Sequence, residues 1–188
     1  MSSEDPLVLR QDDGAIATLT LNRPKAYNAL SLGLMNAVLE ALAAIDQDPS
    51  IAVVVLEGAG RGFSGGHDLK ELQANPSQAF REQTFKTCSQ MMLAITRLRQ
   101  PVIAKVQGIA TAAGCQVVAT CDLAIASDTA KFGTPGVNIG LFCSTPMVAL
   151  SRAVHRKQAM EMLLTGELIS AEKAVSIGLI NRAVPEDA

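Results

Sequence analysis

The chain has 188 residues, the size of one domain with a full core, and 48 % of them are hydrophobic, which excludes intrinsic disorder. The net charge is −2 with no basic run, which excludes nucleic acid as the main partner. Aromatic residues are only 3 %, so the core must be built from Ala, Val, Leu, Ile and Met.

The start, "MSSEDPLVLR", lacks the apolar region of a secretory signal and is not Arg-rich like a transit peptide. No apolar stretch is long enough to span a bilayer. The expected compartment is the cytoplasm, or the mitochondrial matrix if a transit segment has been removed. Residues 6–21 predict a hairpin that turns at Asp12-Asp13-Gly14. Residues 29–48 predict a helix, with Leu34, Met35, Val38, Leu42 and Ile45 at helical spacing and Ser31 as N-cap. The run "IAVVVLEG" (51–58) reads as a strand covered on both faces. Residues 77–99 read as a helix stopped by Pro101.

"PVIAKVQG" (101–108) is a second buried strand, and a short helix follows over 112–119. "CDLAIAS" (121–127) is a third strand and "AKFGT" (130–134) a short extended piece. Helices are expected over 145–154, 156–164 and 170–177, and a last strand over 178–184. Strands alternating with helices indicate an α/β domain with a largely parallel sheet, whose strand ends are the places to look for a site.

The four cysteines, Cys88, Cys115, Cys121 and Cys143, form no C-x-x-C pair and read as reduced thiols, with no metal site expected. The turn "GAGRGFSGG" after the third apolar run invites a nucleotide-loop reading, which fails on residues. A dinucleotide fingerprint needs glycine where Phe63 stands, and a triphosphate loop needs lysine where His67 stands. Two readings remain: a tight connection, or backbone brought close to a ligand. The second gains from "QGIATAAGCQVV" (107–118), which also follows a strand and opens a helix. Amides from two such turns can converge on one developing oxyanion.

Together these segments resemble the crotonase (enoyl-CoA hydratase/isomerase) superfamily. The resemblance rests on "NRPKAYNALS", "VVVLEGAGRGFSGGHDLKEL", "PVIAKVQGIATAAGCQVVATCDLAIAS", "AKFGTPGVNIGL" and "LLTGELISAEKAVSIGLINRAVP", in the family's order across nearly the whole chain. It implies one crotonase-fold domain over residues 1–188, a spiral of β-β-α units. It implies a thioester carbonyl held by the backbone N–H groups of His67 and Ala113, with "TAAGCQ" in place of the usual triple glycine. Lys25, Ala26 and Tyr27, with Ser64, Gly65, Gly66, Asp68 and Leu69, match the positions that hold coenzyme A. That molecule enters as part of an acyl-CoA substrate, and no separate cofactor is expected.

The departures from the family bear on chemistry. Its hydratases use two glutamates as a general acid/base pair. Here those positions are Gln116 and Gly136, and the isomerase carboxylate positions are Asn138 and Ser144. Gln and Asn can hold a water but cannot take its proton at neutral pH. Three outcomes are compatible with this pattern: an acyl-CoA lyase or isomerase of the family; a silent acyl-CoA-binding or regulatory protein; and a decarboxylase or thioester hydrolase run on the oxyanion hole. If only the pair is missing, Gln116→Glu with Gly136→Glu should bring some activity. His67 has the titration range of a base, but the resemblance assigns it a backbone role. His155 reads as a surface residue, Cys143 as packing, and Glu71, Glu82 and Glu167 as solvated acids. Members of the family continue past "VPEDA" with helices that cap the site and build a trimer. Apolar surface near residues 145–177 is therefore expected to be covered in a homotrimer or dimer of trimers.

Overall fold

The computed structural model describes residues 5–186; the first four residues of the acidic start and the last two of "VPEDA" lie outside the described residues. The hairpin forms as expected from β1 (Val8–Asp13) and β2 (Ile16–Leu21), paired antiparallel. Next to β2 come β3 (Val53–Gly58), β4 (Val102–Val106), β6 (Leu123–Ser127) and β9 (Arg182–Val184), each parallel to its neighbour. The large sheet thus has the order β1-β2-β3-β4-β6-β9. A small sheet of β5 (Ile109–Thr111), β7 (Lys131–Gly133) and β8 (Ile169–Ser170) lies apart from it.

The chain alternates between the two sheets. β4 sits in the large sheet, β5 in the small one, and α4 (Ala113–Thr120) follows; β6, β7 and α5 (Ser144–Ala153) repeat the pattern. After β3 a single bridge, Ser64 to Ala110, stands where the small-sheet strand would be. This is the expected spiral of β-β-α units. The remaining helices are α1 (Leu32–Asp46), α2 (Leu69–Ala74), α3 (Gln78–Arg97), α6 (Arg156–Thr165) and α7 (Ala171–Ser176). Single 3-10 turns occupy Pro24–Ala26 and Pro135–Ile139.

α1 buries the five residues picked out by spacing, and the Ser31 side chain accepts from Leu34 N–H at 3.2 Å. α3 is capped in the same way by Ser77. The core is aliphatic, joined by Phe63, Phe132 and the methionines Met35, Met91 and Met92.

Two expectations need correction. Neither β3 nor β4 is covered on both faces: in β3 Val54 and Leu56 are buried while Val53, Val55 and Glu57 are half-buried, and in β4 Val102, Ala104 and Val106 are buried while Ile103 is half-buried and Lys105 exposed. Residues 178–181 are not strand. Gly178 turns the chain, and the N–H groups of Leu179 and Ile180 return to Ala174 O; contact with β6 begins where Asn181 N–H donates to Ala124 O, and the strand itself starts at Arg182.

Candidate functional site

The turn after β3 is locked from below. Asn28 is fully buried; its Nδ2 donates to Ala59 O and Gly62 O, and its Oδ1 accepts from Arg23 N–H. Ser64 Oγ donates to Asn28 O, and Gly65 N–H donates to Tyr27 O at 2.8 Å. The 23–28 segment and the glycine turn therefore form one piece. Arg23 adds an ion pair to Asp68 at 2.8 Å, and Asp68 caps α2 by accepting from Lys70 and Glu71 N–H.

His67 lies one residue further on. Leu30 N–H donates to Gly66 O, and Asp68 N–H donates to Leu30 O. His67 is the residue between these two bonds, so its own N–H points to the opposite side and meets no acceptor among the described residues. The second turn presses against the first: a Cβ on Gly66 would lie 2.8 Å from Ala112 Cβ and 3.1 Å from Ala113 N. Gly66 also has φ +90°, a second reason for glycine there. The hydrogen-bond ladder of α4 starts at Gln116 N–H, which donates to Ala112 O, so Ala113 N–H is an open helix-start donor. Ala112 holds φ +49° and ψ −120°, a backbone strain for a residue with a Cβ.

Both residues border a cleft of about 350 Å³. Its lining includes Gly65, His67, Leu69, Ala113, Gly136, Asn138 and Ser144 from the sequence reading. Further walls come from Leu72, Phe85, Ile139, Leu141, Phe142 and Pro146. No Asp, Glu, Lys or Arg lines it.

Other expected residues are placed elsewhere. Lys25, Ala26 and Tyr27 stand on the exposed 3-10 turn beyond the glycine turn, with the Arg61 guanidinium over the Tyr27 ring at 5.9 Å. Ser64 has no exposed surface, and its hydroxyl and the Asp68 carboxylate are taken up in holding the turn together. Gln116 is not a cleft wall. It is 6 % exposed, and its Oε1 meets no donor among the described residues.

Gly136 is more than a missing side chain. A Cβ there would overlap the Leu141 carbonyl oxygen and lie 2.7 Å from Cys143 Sγ. Leu141 N–H also donates to Gly136 O at 2.9 Å, so the 136–141 turn is closed on itself. The glutamate-restoring experiment assumed an empty position, and this one is filled by backbone.

Burial alone pushes the His67 imidazole down to about 4, so the ring is neutral at physiological pH. It stands edge-on to Phe85 with centroids 5.1 Å apart, and its Nε2 meets no partner among the described residues. The largely enclosed ring takes up a proton far less readily than a free imidazole, which leaves it a weak base. Burial also raises the Cys115 thiol to about 12 and the Cys143 thiol above its usual value, which leaves both poor nucleophiles. All four cysteines are free; Cys121 is only half-buried. Glu71 is not simply solvated: its Oε2 accepts from Leu32 N–H at 2.9 Å and holds the start of α1.

Sequence reasoning passed over Arg23, Asn28 and α2. Asn28 did carry a signal, since Asn tolerates the left-handed conformation (φ +50°) that this bend needs.

A chain that spirals between two sheets in β-β-α units, with an uncharged cleft beside its glycine turns, has the crotonase architecture. The enoyl-CoA hydratase/isomerase family model matches residues 11–188, and the chain belongs to that family. It is similar to the human mitochondrial enoyl-CoA hydratase domain-containing protein 3, 48 % identical over 185 residues, 98 % of this chain and 61 % of the relative. The Xenopus laevis protein of the same name is 48 % identical over 182 residues, 97 % of this chain and 62 % of the relative. The chain thus spans about three fifths of the length of these curated relatives. Among solved structures, an enoyl-CoA hydratase from Mycobacterium smegmatis superimposes with a TM-score of 0.95 at 54 % identity, over 98 % of this chain and 72 % of that one. The human domain-containing protein 3 structure gives 0.93 at 46 % identity, over 96 % and 72 %.

Proposed function

We propose that this chain binds acyl-CoA thioesters, polarises the carbonyl between the N–H groups of His67 and Ala113, and does not hydrate enoyl chains. The observation that carries the reading is Gly136: the position of a family glutamate is closed by Leu141 O and Cys143 Sγ, in a cleft without one charged wall. Two amide donors aimed at a thioester oxygen stabilise negative charge as it develops there, each by about 3–4 kcal/mol when the charge is full. Hydration needs in addition a group that takes a proton from water and one that returns it to carbon. Gln116 and Asn138 have no proton-accepting capacity at neutral pH, and burial leaves the His67 ring only a weak base.

The coenzyme would lie along the outer turn, its adenine and phosphates near Lys25, Ala26 and Tyr27 with Arg61 beside them, and its pantetheine arm would pass Gly65 and Leu69. Calorimetry with crotonyl-CoA should show binding while the enoyl absorbance stays constant. Turnover like that of an ordinary hydratase would overturn the reading.

One observation favours a second reaction. Because no carboxylate lines the cleft, a substrate bearing its own carboxylate meets no repulsion there. Loss of CO₂ from a malonyl-type thioester breaks one C–C bond, passes the electron pair to the held oxygen, and takes a proton from water afterwards. No base is needed. Malonyl- and methylmalonyl-CoA left unchanged after long incubation would remove it.

For assembly we propose a homotrimer or dimer of trimers, supported by the exposed Val148, Met160, Leu164, Leu168 and Val175 on the last helices and the loop between them. No helix among the described residues is long and apolar enough to cross a membrane. The compartment we propose is the cytoplasm or the mitochondrial matrix, the latter supported by the word mitochondrial in the names of the vertebrate relatives.

A further inference from the structure

The cleft does not end at its own walls. Leu69, Leu72 and Ile139 also line a second, open groove of about 410 Å³, completed by Gln73, Pro76 and Arg81. The two spaces share an apolar waist between α2 and the 135–139 turn. Leu69 is 50 % and Ile139 65 % exposed, so the waist holds apolar surface that a ligand chain would cover. Beyond it the chemistry changes. Gln73 and Arg81 are exposed polar residues, and Arg81 is the one side chain bearing a fixed charge in either lining. Arg81 forms no ion pair among the described residues.

We propose that the acyl group this chain takes is a long one with a carboxylate at its far end, an ω-carboxyacyl thioester, and that Arg81 recognises that carboxylate. The proposal rests on the acyl-thioester reading above. A short acyl group would fill the first space and leave the waist bare. A long methyl-ended chain would cover the waist but place its apolar tip against water, Gln73 and a guanidinium. A carboxylate there keeps part of its hydration and gains a charge-assisted partner.

The test is calorimetric titration of the full chain with free CoA, butanoyl-CoA, dodecanoyl-CoA and the mono-CoA thioester of dodecanedioic acid. Each added methylene strengthens binding about fourfold if fully buried and about twofold if half-buried, so with only four of the eight added methylenes half-buried at the waist dodecanoyl-CoA should already bind about sixteenfold tighter than butanoyl-CoA. The carboxylate should add a further factor of about two to five at low ionic strength, fading with salt. In Arg81→Gln, an exposed position, the ratio of the two twelve-carbon affinities should fall to about one. A methyl-ended chain that binds as well as the carboxylated one in the unaltered protein overturns the proposal, as does a ratio unchanged by Arg81→Gln. Butanoyl-CoA binding as tightly as both long chains overturns it while leaving the acyl-thioester reading standing. If no thioester binds better than free CoA, both fall.

Discussion

Gly136→Ala places a single methyl group where the 140–143 segment already lies. The added carbon would overlap Leu141 O and sit 2.7 Å from Cys143 Sγ, and the first of these is backbone, which cannot rotate away. Overpacking of this kind costs typically 1–3 kcal/mol, and a fixed obstacle puts the cost near the top, about 3 kcal/mol. For a chain of this size each kcal/mol shifts Tm by about 2–4 °C, so the variant should melt about 6–12 °C lower. Gly65→Ala is the matched control. Its Cβ would have nothing nearer than Tyr27 Cβ at 3.7 Å, and it should melt close to the parent. Differential scanning calorimetry of the three proteins makes the comparison. The same reasoning predicts that Gln116→Glu with Gly136→Glu unfolds or destabilises the chain rather than creating a hydratase. A Gly136→Ala protein with the parent's Tm would show that the segment yields freely, and the account of lost hydration would then lose its steric basis.

Ala112→Gly removes the strain of φ +49° with a Cβ and should raise stability by about 1 kcal/mol net of the entropy of glycine; a lower melting temperature would count against it. Asn28→Ala leaves Ala59 O, Gly62 O and Arg23 N–H without their buried partner and should cost about 3–5 kcal/mol by urea unfolding. The His67 ring titrates at about 4 in the folded chain against 6.5 unfolded, so between these values the unfolded state binds more protons. Stability should therefore rise from pH 4 to about 6.5 by roughly 3 kcal/mol and level off above, and His67→Gln should flatten that rise while ligand binding shows no His-like limb near neutrality. Sizing chromatography should find a multimer; a monomer at micromolar concentration would contradict the proposed use of Leu164, Leu168 and Val175.

Much of the fold was readable because its signals are local. The β-branched runs over 51–58 and 101–108, the helical spacing from Leu34 to Ile45 and the cap at Ser31 each announce themselves within one element. α2 does not: it is six residues long and buries none of them, so periodicity has nothing to register. The small-sheet strands are two or three residues each and exist only through pairing with distant segments. The same division runs through the site. The meeting of the turns at Gly66 and Ala113 was legible as two glycine-bearing strand ends. The closing of Gly136 by Leu141 was not, since nothing in the six residues from Gly136 to Leu141 reveals that their backbone folds back on itself. The withdrawal of Gln116 from the cleft and the capture of Ser64 and Asp68 by structural bonds are equally products of tertiary packing.

The bond from Gly65 N–H to Tyr27 O makes the outer turn and the donor turn a single mechanical strut, pinned at its centre by Asn28. Between Tyr27 and the His67 amide lie only Gly65 and Gly66, and both are held by hydrogen bonds, Gly65 N–H to Tyr27 O and Leu30 N–H to Gly66 O. Grip on the nucleotide end of a thioester would in this way set the aim of the donor at its carbonyl. By the reciprocity of linkage, a well-held carbonyl would tighten the grip on the nucleotide. On the proposed placement of the coenzyme, a thioester stripped of its nucleotide would then lose polarisation as well as affinity, because the distant handle would help to align the reacting end.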